Sequence, residues 1–116
     1  MSEYKPTITL EQAEKAAHYI RDTAKEYAIL VGRCKALEHI RKTEYSLAFL
    51  EAEGKTVAEK EANAYASDRF QAVVEKIENT WADRTLIETL QTSAEMTNNT
   101  WRSSHAGNKK VDKVFR

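Results

Sequence analysis

The chain contains few residues that interrupt helices, a single cysteine and no long apolar run. Its 116 residues include three Gly and one Pro, and Cys34 is the one cysteine. One cysteine excludes an intrachain disulfide and a disulfide-stabilised extracellular scaffold, so we expect a protein of the reducing cytoplasm. No stretch approaches the roughly 18 apolar residues that span a membrane, and the N-terminal residues form no apolar signal segment. We therefore expect no membrane partner.

Charge of either sign is abundant but balanced, and large apolar residues are scarce. Lys and Arg number 18, as do Asp and Glu, so the formal net charge is zero. This balance argues against a protein that coats nucleic acid over its whole surface. Leu, Ile, Val and Phe total 22, against 16 Ala, which is too few for a thick globular core. Because the apolar residues recur with helical spacing, the composition predicts an elongated all-helical chain rather than disorder.

A long first helix is predicted over residues 10–53. Thr9 and Gln12 form a Thr-x-x-Gln capping box at its start, and Gly32 is the only Gly or Pro within it. Its first half predicts a coiled coil, because small and apolar residues recur every three or four positions. These residues are Leu10, Ala13, Ala17, Ile20, Ala24, Tyr27, Val31 and Cys34. The stripe then moves to Leu37, Ile40, Leu47 and Leu50. This shift predicts a change of register or a second partner helix.

A break at residues 53–55 separates the first helix from the rest of the chain. Gly54 lies at its centre, and Thr56 with Glu59 forms a second capping box directly after it. A glycine followed by such a box is typical of one helix ending and another beginning. The pattern predicts a short corner helix over residues 57–66.

A third helix is predicted over residues 68–105. Ser67 and Asp68 can cap its start, and apolar residues from Phe70 to Trp101 follow at helical spacing. The tripeptide Ala-Gly-Asn at residues 106–108 is typical of a helix stop. The chain is therefore expected to end in a mobile basic tail over residues 107–116.

These elements predict an all-α fold, a long antiparallel helical hairpin resembling a coiled coil, with a short corner helix. Residues 1–9 would form an N-terminal extension, residues 10–106 the hairpin domain and residues 107–116 the C-terminal tail. Two helices bury only one stripe each against one another, and so thin a hairpin rarely folds alone. We therefore expect a homo-oligomer, most simply a dimer that completes a four-helix bundle. The predicted interface residues are Ala17, Ile20, Ala24, Tyr27, Val31, Ile77, Trp81 and Leu90.

No group of residues has the spacing of a catalytic, cofactor or metal site. His18 and Asp22 lie four positions apart and could pair, but neither a His-Glu-x-x-His motif nor paired Glu-x-x-His motifs occur. Cys34 falls on the apolar stripe without an adjacent base, which favours a buried structural thiol over a nucleophile. The three glycines are too isolated for a phosphate-binding loop. The sequence predicts a non-enzymatic protein without a cofactor or a metal.

Charges are distributed unevenly along the chain. Residues 15–42 carry seven basic and three acidic side chains, residues 51–78 four basic and seven acidic, and residues 102–116 five basic and one acidic. Either the basic tail and the acidic corner neutralise each other between protomers, or the tail and the basic side of the first helix contact nucleic-acid phosphates.

Aromatic residues are interleaved with basic residues near the C-terminus. Basic side chains can hold a phosphate backbone while aromatic faces stack on bases, as in proteins that bind single strands. Packing within the third helix would equally explain Trp101, and docking on a neighbouring subunit would explain Phe115. The candidate nucleic-acid-binding residues are Trp101, Arg102, Lys109, Lys110, Lys113, Phe115 and Arg116.

Four sequence features follow one another along the chain. A long Lys/Arg-rich helix precedes a corner with Gly, Thr and Glu, then Ala-x-Ala with an aromatic residue, and finally a Trp-Arg-Ser segment with basic residues. The residues concerned are Gly54, Thr56, Glu61, Ala64, Tyr65, Ala66, Phe70, Trp101, Arg102, Ser103, Ala106, Asn108, Lys109 and Lys110. This order resembles that of small helical proteins encoded by bacteriophages, over about residues 13–110. Gly107, inserted between Ala106 and Asn108, departs from the pattern. The resemblance implies an accessory of phage recombination and replication that acts near single-strand-annealing or single-strand-binding functions.

Two functions remain open at this point. The first is a non-enzymatic phage-type accessory protein of DNA recombination or replication, which binds single-stranded DNA or a recombinase or single-strand-binding partner. The second is a protein-interaction module that inhibits a host enzyme or defence system, with the acidic corner at residues 51–68 as its contact surface. Both would act in the cytoplasm of the host cell.

Overall fold

The described part of the chain folds into three helices. The computed structural model describes the backbone of residues 8–115 and the side chains of residues 8–105. Within this range lie α1 (Leu10–Glu51), α2 (Val57–Ala66) and α3 (Asp68–Phe115), and no strand. The predicted all-α fold is confirmed: α1 and α3 form a long helical hairpin, and α2 is the corner helix between them. None of the helices in the described range holds an 18-residue window apolar enough to cross a membrane.

The hairpin divides into two compact units. The corner unit comprises Glu26–Thr85, and the terminal unit comprises Met1–Lys25 with Leu86–Arg116, of which residues 8–25 and 86–115 are described. In the corner unit the two long helices are antiparallel. Their ion pair between Glu44, near the end of α1, and Arg69, at the start of α3, shows this arrangement. In the terminal unit α1 and α3 are joined by a hydrogen bond of 2.8 Å between Gln91 Nε2 and Thr23 Oγ1.

Side-chain caps determine where the helices begin. At the start of α1, Gln12 N–H donates to Thr9 Oγ1 at 3.2 Å and Thr9 N–H donates to Gln12 Oε1 at 2.9 Å, so the predicted capping box is confirmed. At the start of α2, Glu59 N–H donates to Thr56 Oγ1 at 3.1 Å. These bonds satisfy backbone donors that the first helical turn leaves without partners.

The corner is closed by further polar contacts. The carboxylate of Glu59 accepts a hydrogen bond of 2.7 Å from Lys55 N–H, one residue before the capping threonine. Ser67 Oγ accepts Phe70 N–H at 3.2 Å, which makes Ser67 the cap of α3. Asn63 Nδ2 donates to the Glu53 carbonyl at 2.6 Å and ties α2 to the end of α1.

The corner unit has a small apolar core where all three helices meet. Its buried members are Leu37, Ala48, Ala64, Phe70 and Val73. Tyr45, Phe49, Ala52, Val74 and Ile77 pack around them and are partly buried. Alanines on two of the helices leave room for close approach, and the aromatic rings fill the remaining space. The core therefore lies near the corner and positions the rings described below.

The predicted change of register after Cys34 is wrong for the corner unit. Buried and half-buried positions of α1 continue at coiled-coil spacing through Leu37, Glu44 and Ala48, whereas Ile40 is exposed, as are Leu47 and Leu50. The sequence prediction followed hydrophobicity alone. In the structure Glu44 is half-buried because its carboxylate pairs with Arg69 at 3.5 Å, so a charged residue continues the stripe.

Two helix ends differ from prediction. α1 ends at Glu51 rather than near residue 53, and α3 continues to Phe115 rather than ending near His105. The Ala-Gly-Asn stop at residues 106–108 is therefore wrong, and residues 107–115 belong to the helix instead of a separate tail. A glycine ends a helix when it adopts a left-handed conformation, and no glycine of the described backbone has a positive φ. Within a helix an isolated glycine costs only about 1 kcal/mol.

Candidate functional site

The predicted nucleic-acid-binding residues fall partly outside the described side chains. Those of Lys109, Lys110, Lys113, Phe115 and Arg116 lie outside that range. Trp101 is half-buried, and its ring stacks on the imidazole of His105 with centroids 5.0 Å apart and planes inclined by 9°. Arg102 is exposed. One face of the Trp101 ring is thus covered by a residue one turn further along α3.

The predicted interface residues divide into two groups. Tyr27 and Ile77 are partly buried inside the corner unit, Tyr27 beside Arg84 and Ile77 against the apolar core. Ile20 and Val31 are also half-buried. In contrast, Ala17, Ala24, Trp81 and Leu90 are exposed within their own units. The coiled-coil spacing that predicted contacts between protomers therefore serves in part to join α1 and α3 of one chain.

Arg84 occupies a position between α1 and α3 that an apolar residue would usually fill. Its guanidinium lies 4.4 Å from the centre of the Trp81 ring, a cation–π distance. Hydrogen bonding to Cys34 raises the pKa of Arg84, burial partly opposes this increase, and hydrogen bonding to Tyr27 adds to it. Cys34 is only 1% exposed. The thiol is thus a buried partner of a cation, in agreement with the structural role predicted for it.

The corner unit carries an aromatic cluster formed by Tyr45, Phe49, Tyr65 and Phe70. The Tyr45 and Tyr65 centroids are 4.8 Å apart, and Phe70 meets both rings edge-on at 5.8 and 5.3 Å. Phe49 lies 6.4 Å from Tyr45. These distances are those of attractive ring pairs. The cluster thus brings residues from all three helices together at the corner.

Two basic side chains lie over rings of the aromatic cluster. The Arg41 guanidinium lies 5.4 Å from the Phe70 centroid, and Lys60 Nζ lies 5.1 Å from the Phe49 centroid. Cation–π contacts of this kind hold a positive charge beside an aromatic surface without neutralising it.

Two shallow grooves lie beside the aromatic cluster. The first, which we call the basic groove, has a volume of about 210 Å³ and is lined by Arg41, Lys42, Tyr45, Ser46, Tyr65 and Phe70. The second, the apolar groove, has a volume of about 400 Å³ and is lined by Tyr45, Ser46, Phe49, Leu50 and Glu61. The basic groove combines cations with rings, whereas the apolar groove has one carboxylate and no cation in its lining.

Electrostatics differ between the two sides of the corner. Arg69 is compensated by carboxylates, since its guanidinium nitrogens lie 3.5 Å from Glu44 and 3.5 Å from Glu51. Neither Arg41 nor Lys42 forms an ion pair with any carboxylate among residues 8–105. The positive charge of the basic groove therefore remains available to an anion.

Tyr45, between the two grooves, has a perturbed hydroxyl group. Desolvation is the main cause that raises the pKa of Tyr45 above 10.0, and the neighbouring Tyr65 hydroxyl and Glu61 carboxylate raise it further. Tyr45 is thus held neutral over an extended range of pH and keeps a hydroxyl hydrogen for donation.

The basic groove is not evident from the sequence. Arg41 and Lys42 were noted only as part of a basic stretch, and Tyr65 only within the phage resemblance. Tyr45 and Tyr65 are twenty positions apart on either side of the corner, so their contact follows from the packing of α2 on α1. Their similar distances from Gly54, nine positions before it and eleven after it, are the sequence signal that could have paired them.

Neither a metal centre nor a known relative guides the assignment of the site. Among the described residues, no group of three His, Cys, Asp or Glu side chains could hold a metal ion. Comparison with protein-family models, with curated proteins and with solved structures returns no match for this chain. The chemistry of the corner is therefore interpreted from its own side chains.

Proposed function

We propose that this chain is a non-enzymatic accessory protein of phage-type DNA recombination or replication, acting in the host cytoplasm. It binds single-stranded DNA, or a recombinase or single-strand-binding protein that is bound to such DNA. The sequence resemblance over about residues 13–110 suggests this class. The DNA-binding part of the proposal is supported by exposed basic residues of α1 that have no carboxylate partner in the described part of the chain.

Most basic side chains of residues 15–42 have no acidic partner. Lys15 pairs with Glu11 at 3.6 Å, and Arg21 pairs with Asp22 at 3.3 Å. The other five are exposed and form no ion pair with a carboxylate of the described residues. They are Lys25, Arg33, Lys35, Arg41 and Lys42. These exposed cations without a carboxylate partner in the described part of the chain are available to phosphates.

Titration of a labelled single-stranded oligonucleotide with the full chain tests this proposal. We expect binding at low salt, and the logarithm of the affinity should fall by about 0.7 per tenfold increase in salt for each phosphate contacted. Replacing Lys109, Lys110, Lys113 and Arg116 together by Gln should reduce this slope, since these residues were predicted to contact phosphate. A chain with Lys55 and Lys76 replaced by Gln, two exposed lysines outside the proposed contact residues, serves as control. Absence of binding at low salt would exclude DNA as the ligand.

A protein partner is tested separately from DNA. Purified chain immobilised on a support is exposed to a phage recombinase or single-strand-binding protein, with nuclease present to remove bridging DNA. Saturable binding with fixed stoichiometry supports the protein branch of the proposal. If neither DNA nor these proteins bind, the proposed accessory function is wrong.

The second candidate function, inhibition of a host enzyme or defence system, is favoured by the apolar groove. Leu50 at its edge is 75% exposed, and Glu61 provides a negative charge in the lining. An exposed apolar patch with a polar rim is typical of a protein-binding surface. Capture of a stoichiometric host enzyme, with loss of that enzyme's activity and no oligonucleotide binding, would favour this function over the first.

Self-association is part of the proposal for either function. Within the terminal unit Leu90 is 45% exposed, and within the corner unit Trp81 is also exposed. Burial of such side chains against a second copy would remove apolar surface from water, at about 25 cal/mol per Å². Light scattering on the purified chain gives the oligomeric state directly. A monomer at high concentration would contradict this part of the proposal.

A further inference from the structure

We infer that the basic groove of the corner unit is a binding site for single-stranded DNA, in which a base stacks on Tyr65 and phosphates contact Arg41 and Lys42. This inference rests on the proposed function and extends it, because the predicted DNA-binding residues lie in the C-terminal part of α3. It adds a second region, in the corner unit, that contacts the same single strand.

Tyr65 provides a fixed and accessible aromatic surface. Its side chain is 48% exposed, although its ring contacts Tyr45 at 4.8 Å and the edge of Phe70 at 5.3 Å. The backbone at this position is also held, since Gln71 Nε2 donates to the Tyr65 carbonyl at 2.7 Å. A ring that is already ordered loses little conformational entropy when a base stacks on it. An exposed but mobile ring would lose more conformational entropy on stacking.

Arg41 and Lys42 place positive charge beside this ring. The Arg41 guanidinium is held over Phe70 at 5.4 Å, and Lys42 is an exposed neighbour in the groove lining. Neither forms an ion pair with a carboxylate among residues 8–105. Glu61, the carboxylate that raises the pKa of Tyr45, lines the apolar groove instead. The exposed ring of Tyr65 thus lies in the same groove as two cations that have no carboxylate partner among residues 8–105.

The combination of groups favours an unpaired strand over duplex DNA. Stacking on Tyr65 requires a free base face, and in a duplex both faces of each base are covered by neighbouring bases. The groove is shallow, about 210 Å³, and contains one exposed ring, which suits one base rather than a long stacked run. Sequence preference is expected to be small, because stacking and phosphate contacts discriminate little between bases.

Single substitutions in the full chain test the site. Tyr65→Leu should weaken binding of a labelled oligothymidylate by about five- to a hundredfold, since it removes the stacking surface. Tyr65→Phe keeps the ring and should bind like the unaltered chain. Lys42→Ala should lower the salt slope by about 0.7, whereas Lys76→Ala, an exposed lysine that lines a different groove on α3, should leave it unchanged. Circular dichroism confirms that each variant is folded.

A crosslinking experiment locates the contact independently of affinity. An oligonucleotide containing iodouracil is irradiated with the unaltered chain, and the crosslinked peptide is identified by mass spectrometry. We expect the crosslink at Tyr65 or Tyr45. Unlabelled duplex of the same sequence should compete poorly, and duplex that competes as well as the single strand would overturn the stacking model.

The outcomes separate this inference from the proposed function. If the chain binds oligothymidylate but Tyr65→Leu and Lys42→Ala bind with unchanged affinity and salt slope, the basic groove is not the site, and the proposed function stands on the other exposed cations of α1 and on the C-terminal residues. If the unaltered chain binds no single strand, the groove assignment fails, while binding to a recombinase would still support the accessory function.

Discussion

Tyr45 is the residue that connects the aromatic cluster, because its ring contacts each of the other three members. Its hydroxyl lies in partly desolvated surroundings next to a second phenol and a carboxylate. Such surroundings disfavour the negatively charged phenolate and therefore favour the neutral form in the folded protein. The same arrangement orders the exposed neighbour Tyr65.

Tyr45 is predicted to lose its hydroxyl proton at a higher pH than an ordinary tyrosine. Its pKa in the folded chain lies above 10.0, so its contribution to stability is complete below the usual pKa and is lost as the pH rises through the higher folded value. Ultraviolet absorbance of the phenolate during alkaline titration should show a late component that is missing in Tyr45→Phe. If Tyr45→Phe instead lacked a component that titrates at the ordinary tyrosine pKa, the raised pKa of Tyr45 would be contradicted.

Polar residues between α1 and α3 also act at the residue scale. Arg84 beside Cys34 and Tyr27 in the corner unit, and Gln91 with Thr23 in the terminal unit, each need a specific partner on the opposite helix. A shift of the helices would separate these partly buried polar groups from their partners, which costs free energy. These contacts thus favour a single register between the helices.

At the scale of the element, the two glycines of the corner unit have opposite roles. Gly32 lies within α1, and a Cβ added there would meet nothing within 4 Å. Gly54 lies in the break before α2, where a Cβ would come 2.9 Å from the backbone nitrogen of Lys60 and 3.0 Å from Glu59 Cβ. Gly54 is thus required by close approach of the first turn of α2, whereas Gly32 only weakens a helix.

Alanine substitutions at these two glycines should shift the free energy of unfolding in opposite directions. Gly32→Ala should stabilise the chain by about 0.5–1 kcal/mol, because alanine loses less backbone entropy in a helix. Gly54→Ala should destabilise it by about 1–3 kcal/mol, because the corner must move to admit the methyl group. Urea unfolding followed by circular dichroism measures both. Equal effects of the two substitutions would show that the corner is not closely packed at Gly54.

For the whole molecule, the balance between buried and exposed apolar surface decides what holds it together. The apolar core of the corner unit is small, and Leu50, Leu86 and Leu90 remain largely exposed within their units. Domains with so little core usually gain stability from association. The proposed homo-oligomer would supply this missing burial.

The thermal midpoint is therefore expected to rise with protein concentration, because association stabilises the folded chain by mass action. Melting curves over about a hundredfold range of concentration measure this effect. Leu90→Glu should remove the concentration dependence, since Leu90 is a proposed interface residue. Val57→Glu, at an exposed valine of α2 that is not among the proposed interface residues, is the control. A midpoint that does not depend on concentration in the unaltered chain would contradict self-association.

Local sequence was sufficient for the helices and their starts. Both capping boxes, Thr9 with Gln12 and Thr56 with Glu59, involve residues three positions apart, so their hydrogen bonds are encoded within a single turn. The break at Gly54 and the all-helical hairpin follow from equally local signals. Proximity along the chain is the physical reason that these features could be predicted.

Only the tertiary structure decided the register and the site. Glu44 continues the buried stripe of α1 because Arg69, on another helix, compensates its charge, and hydrophobic spacing cannot reveal such a partner. Tyr45 and Tyr65 meet because α2 packs back on α1, which joins Arg41 and Lys42 to an exposed ring. Contacts between residues distant in sequence depend on how the helices pack, and packing is determined by the whole set of side chains rather than by any local pattern.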